Sequence, residues 1–147
     1  MSRSLGINCA IAVTTLALLP SAFAEDKDVI AYRQHIMNTL NEQAAALGQI
    51  LSTAIPSDNA AAHLDILAMT ASTALKAFEP RVTGGEAKPE VWTNWADFSN
   101  RMNEFAQNTS QAAKIAKDQG ADAALGNILD VLTCNACHKI YRDETKK

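Results

Sequence analysis

The spacing of apolar residues is the feature that most limits what this sequence can fold into. Apolar residues recur at intervals of three and four in four separate segments, which is the pattern of amphipathic helices that each bury one face. No segment sustains the period of two that indicates a β-strand. The chain is therefore predicted to be all-α, an antiparallel up-and-down four-helix bundle. The four stripes are Ile30, Arg33, Met37, Leu40, Ala44, Leu47 and Leu51; Leu64, Leu67, Ala71, Leu75 and Phe78; Val91, Trp95, Phe98, Met102, Phe105, Thr109, Ala112 and Ala116; and Leu125, Ile128, Leu132 and Tyr141.

Prolines, glycines and capping residues divide these segments. Pro56 ends the first helix, and the polar residues 57–59 offer N-cap side chains for the second. Residues 79–88 form the longest irregular connection, and connections of that length often carry function. Pro89 has the backbone angle suited to the first position of the third helix, which Gly120 closes. The helices are predicted from Asp28 to about Thr53, from after Asn59 to Phe78, from Pro89 to Gly120, and from Asp122, a candidate N-cap, to Arg142.

Residues 1–24 are predicted to be a cleaved secretory signal peptide. Arg3 precedes an apolar run from Leu5 to Leu19, and Ala22-Phe23-Ala24 supplies small residues at the cleavage site. A membrane anchor is the alternative, but the run is short for a span of about 20 residues and no stop-transfer flank follows it. The mature domain is then residues 25–147, without a membrane span, in the bacterial periplasm, which is an oxidising compartment.

The cysteines carry the chemistry of the sequence. There are three, and Cys9 leaves with the signal peptide. The other two lie in Cys134-Asn135-Ala136-Cys137-His138, the Cys-x-x-Cys-His attachment motif of c-type haem. Each thiol can add to one vinyl group of the porphyrin, and His138 can reach the iron. One covalently attached haem c is therefore predicted, with no free thiol left. It would also supply bulk to the core of a chain that is only 5% aromatic.

Three other uses of the motif are weaker. A zinc site needs four ligands, and His35 and His63 lie on other helices without paired spacing. A redox-active pair belongs at a helix N-terminus, whereas Cys134 is predicted late in a helix. A disulfide between Cys134 and Cys137 would close a short loop with little entropic benefit. The formal net charge of −3 makes nucleic acid an unfavourable partner.

Three segments resemble the class II c-type cytochromes, the cytochrome c′ family, over nearly the whole mature chain. They are Val29 to Met37 with its Tyr32-Arg33-Gln34, Gly84 to Trp92, and Cys134 to Arg142. The resemblance implies thioethers at Cys134 and Cys137 and His138 as the proximal iron ligand. It also implies that Arg33 and Gln34 lie against the haem and its propionates, that Glu86 lies near the haem edge, and that Arg142 lies beside the proximal pocket.

Met37 matches the family position that faces the distal side of the iron, and two functions follow from two states of this residue. If Met37 ligates the iron, the protein is a low-spin electron carrier that exchanges electrons with a periplasmic redox partner protein. If it does not, the iron is five-coordinate and open to NO or CO. The intact Met37, together with Trp92 and Trp95, favours the electron carrier. In neither case is the chain predicted to be an enzyme. The resemblance also implies a homodimer through the first two helices.

Overall fold

The structure is a computed structural model that describes residues 24–126 and 128–145. The predicted signal peptide, except for Ala24, lies outside these residues. Within them the regular structure is helical, and the only β-type pairings are isolated bridges at Gly84, Ala87 and Arg142. None of the described helices is both long and apolar enough to cross a membrane. The helices are α1 (Asp26–Leu51), α2 (Ala60–Ala74), α3 (Glu90–Thr93), α4 (Trp95–Gln119), α5 (Ala121–Leu125), α6 (Ile128–Val131) and α7 (Cys134–Tyr141), with 3₁₀ turns at Ser57–Asn59 and Leu75–Phe78.

These elements form the predicted four-helix bundle. Helix α1 is its first member, α2 with its terminal 3₁₀ turn its second, and α3 with α4 its third. Helices α5, α6 and α7 together form the fourth. Helix α2 packs against both α1 and α4, so it lies between the first and third members.

The predicted stripes make the core. Most of their members are buried, and the remainder are half-buried, in most cases against the core. The largest fully buried side chains include Leu47, Leu64, Leu67 and Ile128, one or two from each of three bundle members. Arg33, the one charged member of the stripes, is also buried, with 4% of its surface exposed. Periodicity therefore identified most of the core, including its cation, and missed core residues such as Ile50 and Trp92.

The ends of the helices differ from the prediction in three places. Residues 57–59 form a 3₁₀ turn without a side-chain cap. The third helix is interrupted at Asn94, where φ is −118° and ψ is 46°. The fourth helix, predicted as continuous, is divided into three short helices. As a result Cys134 begins α7, so the expectation that the motif lies late in a long helix was wrong.

The connection between α2 and α3 is held close to α1. Gly84 and Gly85 both have positive φ, 133° and 60°. A Cβ atom built on Gly84 would lie 2.7 Å from Ile30 Cδ1, and one on Gly85 would lie 2.9 Å from Ile30 Cγ2. Glycine is required here by backbone conformation and by close approach, and the loop consequently passes directly over the start of the bundle.

Candidate haem site

A cavity of about 500 Å³ lies between α1, the loop of residues 79–88, α4 and α7. This volume is within the range of about 300 to 1,000 Å³ that is usual for small-molecule and cofactor sites. Much of its wall is apolar, from Phe78, Val91, Phe98 and Met102. The predicted site residues Arg33, Gln34, Met37, Glu86, Cys137 and His138 line it as well.

Helix α7 contributes Cys137 and His138 to the cavity, and both are half-buried. Cys134, one turn earlier, is exposed and is not part of the lining. Burial lowers the pKa of the His138 imidazole, and the nearby Arg142 lowers it further, while Glu144 and Glu86 oppose the shift. The imidazole is therefore neutral at neutral pH, which is the form that ligates iron.

The thiols do not have the environment of a redox-active pair. Burial raises the pKa of the Cys137 thiol, more than Arg101 lowers it. Reactive pairs instead have a lowered thiol pKa, because the thiolate is the nucleophile. Cys134 and Cys137 are not joined by a disulfide, so both sulfur atoms are free to form thioethers. Because Cys134 lies at the start of α7, its position in the helix does not exclude a thiol oxidoreductase. The raised pKa of Cys137 argues against this function.

Helix α1 faces the cavity with one continuous row of side chains. Met37 is half-buried in it, and Gln34, Asn38 and Asn41 line it from the same helix. Met102, on α4, brings a second thioether to the cavity. The sequence placed Met102 in the core stripe, and only the packing of α4 against the cavity distinguishes it from the other core positions. The roles predicted for Met37 and Gln34 remain predictions.

Arg33 lines the cavity, but its hydrogen bonds go to the chain itself. Its guanidinium donates to the carbonyl oxygens of Ala77, Pro80 and Val82 at 3.0, 3.0 and 2.7 Å. Its Cζ atom also lies 5.4 Å from the ring centre of Phe78 and 4.9 Å from that of Trp92. Contact with a haem propionate stays a prediction. The structure gives Arg33 a role that the sequence did not reveal, which is to hold the loop.

Glu86 and Arg142 close the cavity at the end of α7. Arg142 Nε lies 2.5 Å from Glu86 Oε2, and the Asp143 amide donates to the Glu86 carbonyl oxygen. The Lys88 amide donates to the carbonyl oxygen of Tyr141. The loop and the C-terminal end of α7 are thus joined by ion pairing and by backbone hydrogen bonds beside His138.

The residues present fit a covalently attached haem. The cavity combines apolar walls for a flat macrocycle, a neutral imidazole inside, and two unpaired thiols on one turn of helix. Among the described residues, no group of three or more His, Cys, Asp or Glu side chains is placed to hold a bare metal ion. The fold and the site define a c-type haem protein built on a four-helix bundle.

The chain belongs to the cytochrome c′ family. A family model described as Cytochrome C′ matches residues 28–142. Cytochrome c′ from Alcaligenes xylosoxydans is 28% identical over 123 residues, which are 82% of this chain and 97% of that protein. The solved structure of cytochrome c prime from Shewanella frigidimarina is similar with a TM-score of 0.71 at 26% identity, over 83% of this chain and 99% of that one.

A nitrosyl complex of a variant of the Alcaligenes xylosoxidans protein is similar with a TM-score of 0.70 at 28% identity. The similar region covers 82% of this chain and 99% of the chain in that structure. Haem c is accordingly the cofactor of this chain, as the sequence predicted.

Proposed function

We propose that this chain is an exported, periplasmic electron carrier in which Cys134 and Cys137 would hold haem c, and His138 and Met37 would both ligate its iron. Bound haem supplies an iron that alternates between the ferric and ferrous states. The observation that carries the proposal is that His138 and Met37 line one cavity from two different helices. Export is supported by the predicted signal sequence of residues 1–24 and by the oxidising compartment in which thioether attachment takes place.

The contributions of the protein are to bind, to orient and to exclude water. Helix α7 presents a neutral imidazole, and α1 presents a thioether from a half-buried position. A thioether ligand favours the ferrous form and raises the reduction potential. Phe78, Val91, Phe98 and Met102 give part of the cavity an apolar wall; where this wall covers the haem it would exclude water and lower the reorganisation that accompanies a change in charge. Because no polar side chain in this arrangement is assigned to attack a substrate, we propose a carrier rather than an enzyme.

Gas binding is the second candidate function. It is favoured by the similarity to structures that are described as nitrosyl or NO complexes of cytochrome c prime. In this case Met37 stays an apolar neighbour of the iron, since a thioether side chain also serves as adaptable packing. NO or CO would then bind at the distal face. The proposed partners are therefore a redox protein in the first case and a diatomic gas in the second, with a second copy of this chain in both.

The visible spectrum of the ferrous protein distinguishes the two candidates. We expect sharp, split visible bands in the wild type and a broad high-spin spectrum that responds to CO in Met37→Leu, because leucine preserves volume and removes the ligand. The matched control is Met102→Leu, which changes the other methionine of the same cavity and should keep the sharp bands. A broad, CO-responsive wild type would establish gas binding instead. Loss of the bands only in Met102→Leu would reassign the ligand.

A further inference from the structure

A polar cluster joins the third bundle member to α7 outside the residues so far assigned to the haem. It consists of Asn94, Asp97 and Arg101 on one side and Tyr141 on the other. Asp97 and Arg101 are four residues apart on α4, so they share one face of that helix, and Asn94 is the residue that immediately precedes it. That face is turned toward α7.

Tyr141 is the centre of this cluster. Its hydroxyl donates to Asp97 Oδ2 at 2.5 Å and accepts from Asn94 Nδ2 at 3.2 Å. Its ring is buried, with 4% of the residue exposed, and packs edge-on against Phe98 with 5.1 Å between ring centres. Both the polar and the apolar parts of this side chain are therefore held by the third bundle member.

Asp97 and Arg101 extend the cluster toward the attachment motif. Arg101 Nε donates to the same Asp97 oxygen at 2.6 Å. Arg101 also lies near Cys137, and its positive charge lowers the pKa of the Cys137 thiol against the larger, opposing effect of burial. Cys137 and Tyr141 are four residues apart on α7, so they lie on one face of that helix. The cluster thus holds α7 by hydrogen bonds at Tyr141 and places the Arg101 guanidinium near Cys137, one turn earlier on the same face; His138 lies between these two residues in the sequence.

The interruption of the third helix at Asn94 belongs to the same arrangement. Asn94 is the residue between α3 and α4, with nonhelical backbone angles. Its side chain donates to Tyr141, 47 residues later in the chain.

We propose that Asp97 is a positioning residue that, with Asn94 and Arg101, fixes Tyr141 and thereby the orientation in which α7 presents Cys137 and His138 to the haem. The inference rests on the proposed function only in taking Cys137 and His138 as haem-binding residues. Helix α7 has eight residues, and a helix this short depends on tertiary contacts for its order. The cluster is what supplies such contacts on the side of α7 that faces α4.

The test is amide hydrogen exchange of the haem-loaded protein, measured by mass spectrometry on peptides, together with its midpoint potential. Tyr141→Phe keeps the ring on Phe98 and removes the hydroxyl. We expect exchange in residues 134–141 to become about fivefold faster, which is the effect of losing one typical net hydrogen bond. Residues 26–51 should be unchanged, and the midpoint potential should shift. Asp97→Ala should also speed exchange in residues 134–141. Asp97→Glu keeps a carboxylate acceptor, so its effect should be smaller.

The matched control is Asp118→Ala. Asp118 pairs with Lys114 on the same helix, four residues away, as Asp97 pairs with Arg101, but it has no hydrogen bond or ion pair to the described residues of α7. This variant should leave exchange in residues 134–141 and the potential as in the wild type. The proposal is overturned if Tyr141→Phe leaves exchange of α7 unchanged, if exchange rises equally in residues 26–51, or if it rises in α7 without a shift in potential.

The intact mass of the wild type reports haem attachment separately. A wild type that carries no haem would contradict the proposed function. The exchange pattern of Tyr141→Phe would still decide whether the cluster holds α7, so the two failures are distinguishable.

Discussion

Arg33 is a buried cation that binds the backbone of the protein. A family resemblance assigned it to the haem propionates, and that role remains a prediction. Its three hydrogen bonds to carbonyl oxygens of residues 77, 80 and 82 show a second use of the same side chain. The planar fork of a guanidinium can reach several acceptors at once, whereas an ammonium group is a single point charge.

Arg33→Lys separates these two uses, because it keeps the positive charge and loses the fork. We expect the free energy of unfolding in urea, followed by circular dichroism of the haem-loaded protein, to fall by about 1–3 kcal/mol, since buried carbonyl groups lose their donors. Arg81→Lys is the control, because Arg81 is an exposed cation in the loop of residues 79–88, which Arg33 binds. This substitution should change stability by less than about 0.5 kcal/mol. Equal stability of wild type and Arg33→Lys would mean that only the charge matters.

At the residue scale, the residues that bind the cofactor could be predicted, because their pattern lies within a short stretch of sequence. The Cys-x-x-Cys-His motif and the cation in an apolar stripe are visible within a few residues. The partners of Arg33 and Tyr141 lie about 44 to 49 residues away. Such contacts exist only after folding, so no local pattern indicated that Arg33 holds a loop or that Asp97 and Asn94 bind Tyr141.

At the scale of elements, the stripes predicted four helical segments correctly but not their continuity. Periodicity reports which face is buried, and an interruption that preserves that face leaves the pattern intact. Asn94 interrupts the third helix while Val91, Trp95 and Phe98 stay in the stripe. In the fourth segment, Thr133 has ψ of 46° and separates α6 from α7, although Leu132 and Tyr141 continue the apolar spacing. The position of Cys134 at the start of a helix was missed for this reason.

Substitution of a glycine tests whether the loop of residues 79–88 needs its close contact with α1. Gly84→Ala would place a Cβ atom against Ile30 at a φ of 133°, which non-glycine residues rarely adopt, so we expect a loss of about 1–3 kcal/mol in unfolding free energy. Gly48→Ala is the opposite case. Gly48 lies within α1 with no atom inside 4 Å of its added Cβ, and alanine there should raise stability by up to about 1 kcal/mol.

Urea unfolding of both variants shows whether the loss of stability is specific to Gly84, where the loop contacts Ile30, or follows from any glycine-to-alanine change. If Gly84→Ala is as stable as the wild type, the loop does not rest on Ile30 as the structure describes. Haem content of the two purified variants, measured on the same samples, shows whether a displaced loop also affects the cavity that it covers.

At the scale of the whole molecule, the homodimer expected through the first two helices would need exposed apolar side chains on both of them. Ile66 and Met69 on α2 are 44% and 72% exposed, and Tyr32 on α1 is 52% exposed. Ile66 and Met69 are three residues apart, so they lie on one face of α2. The sequence stripes could not reveal this face, because they identify the buried side of each helix only. The homodimer expected through the first two helices therefore has apolar side chains available on both of them.

Met69→Lys tests this interface directly. A buried lysine without a partner is costly, so we expect the variant to be a monomer at concentrations where the wild type is a dimer, as measured by size-exclusion chromatography with light scattering. Leu129→Lys is the matched control, because Leu129 is 71% exposed on α6, outside the first two helices, and it should remain a dimer. A monomeric wild type, or a dimer lost only in Leu129→Lys, would show that the exposed face of α2 does not bind a second copy. Because both side chains are exposed on the single chain and lie outside the haem cavity, neither substitution should alter the haem spectrum, and a change in mass alone would locate the contact between the two copies.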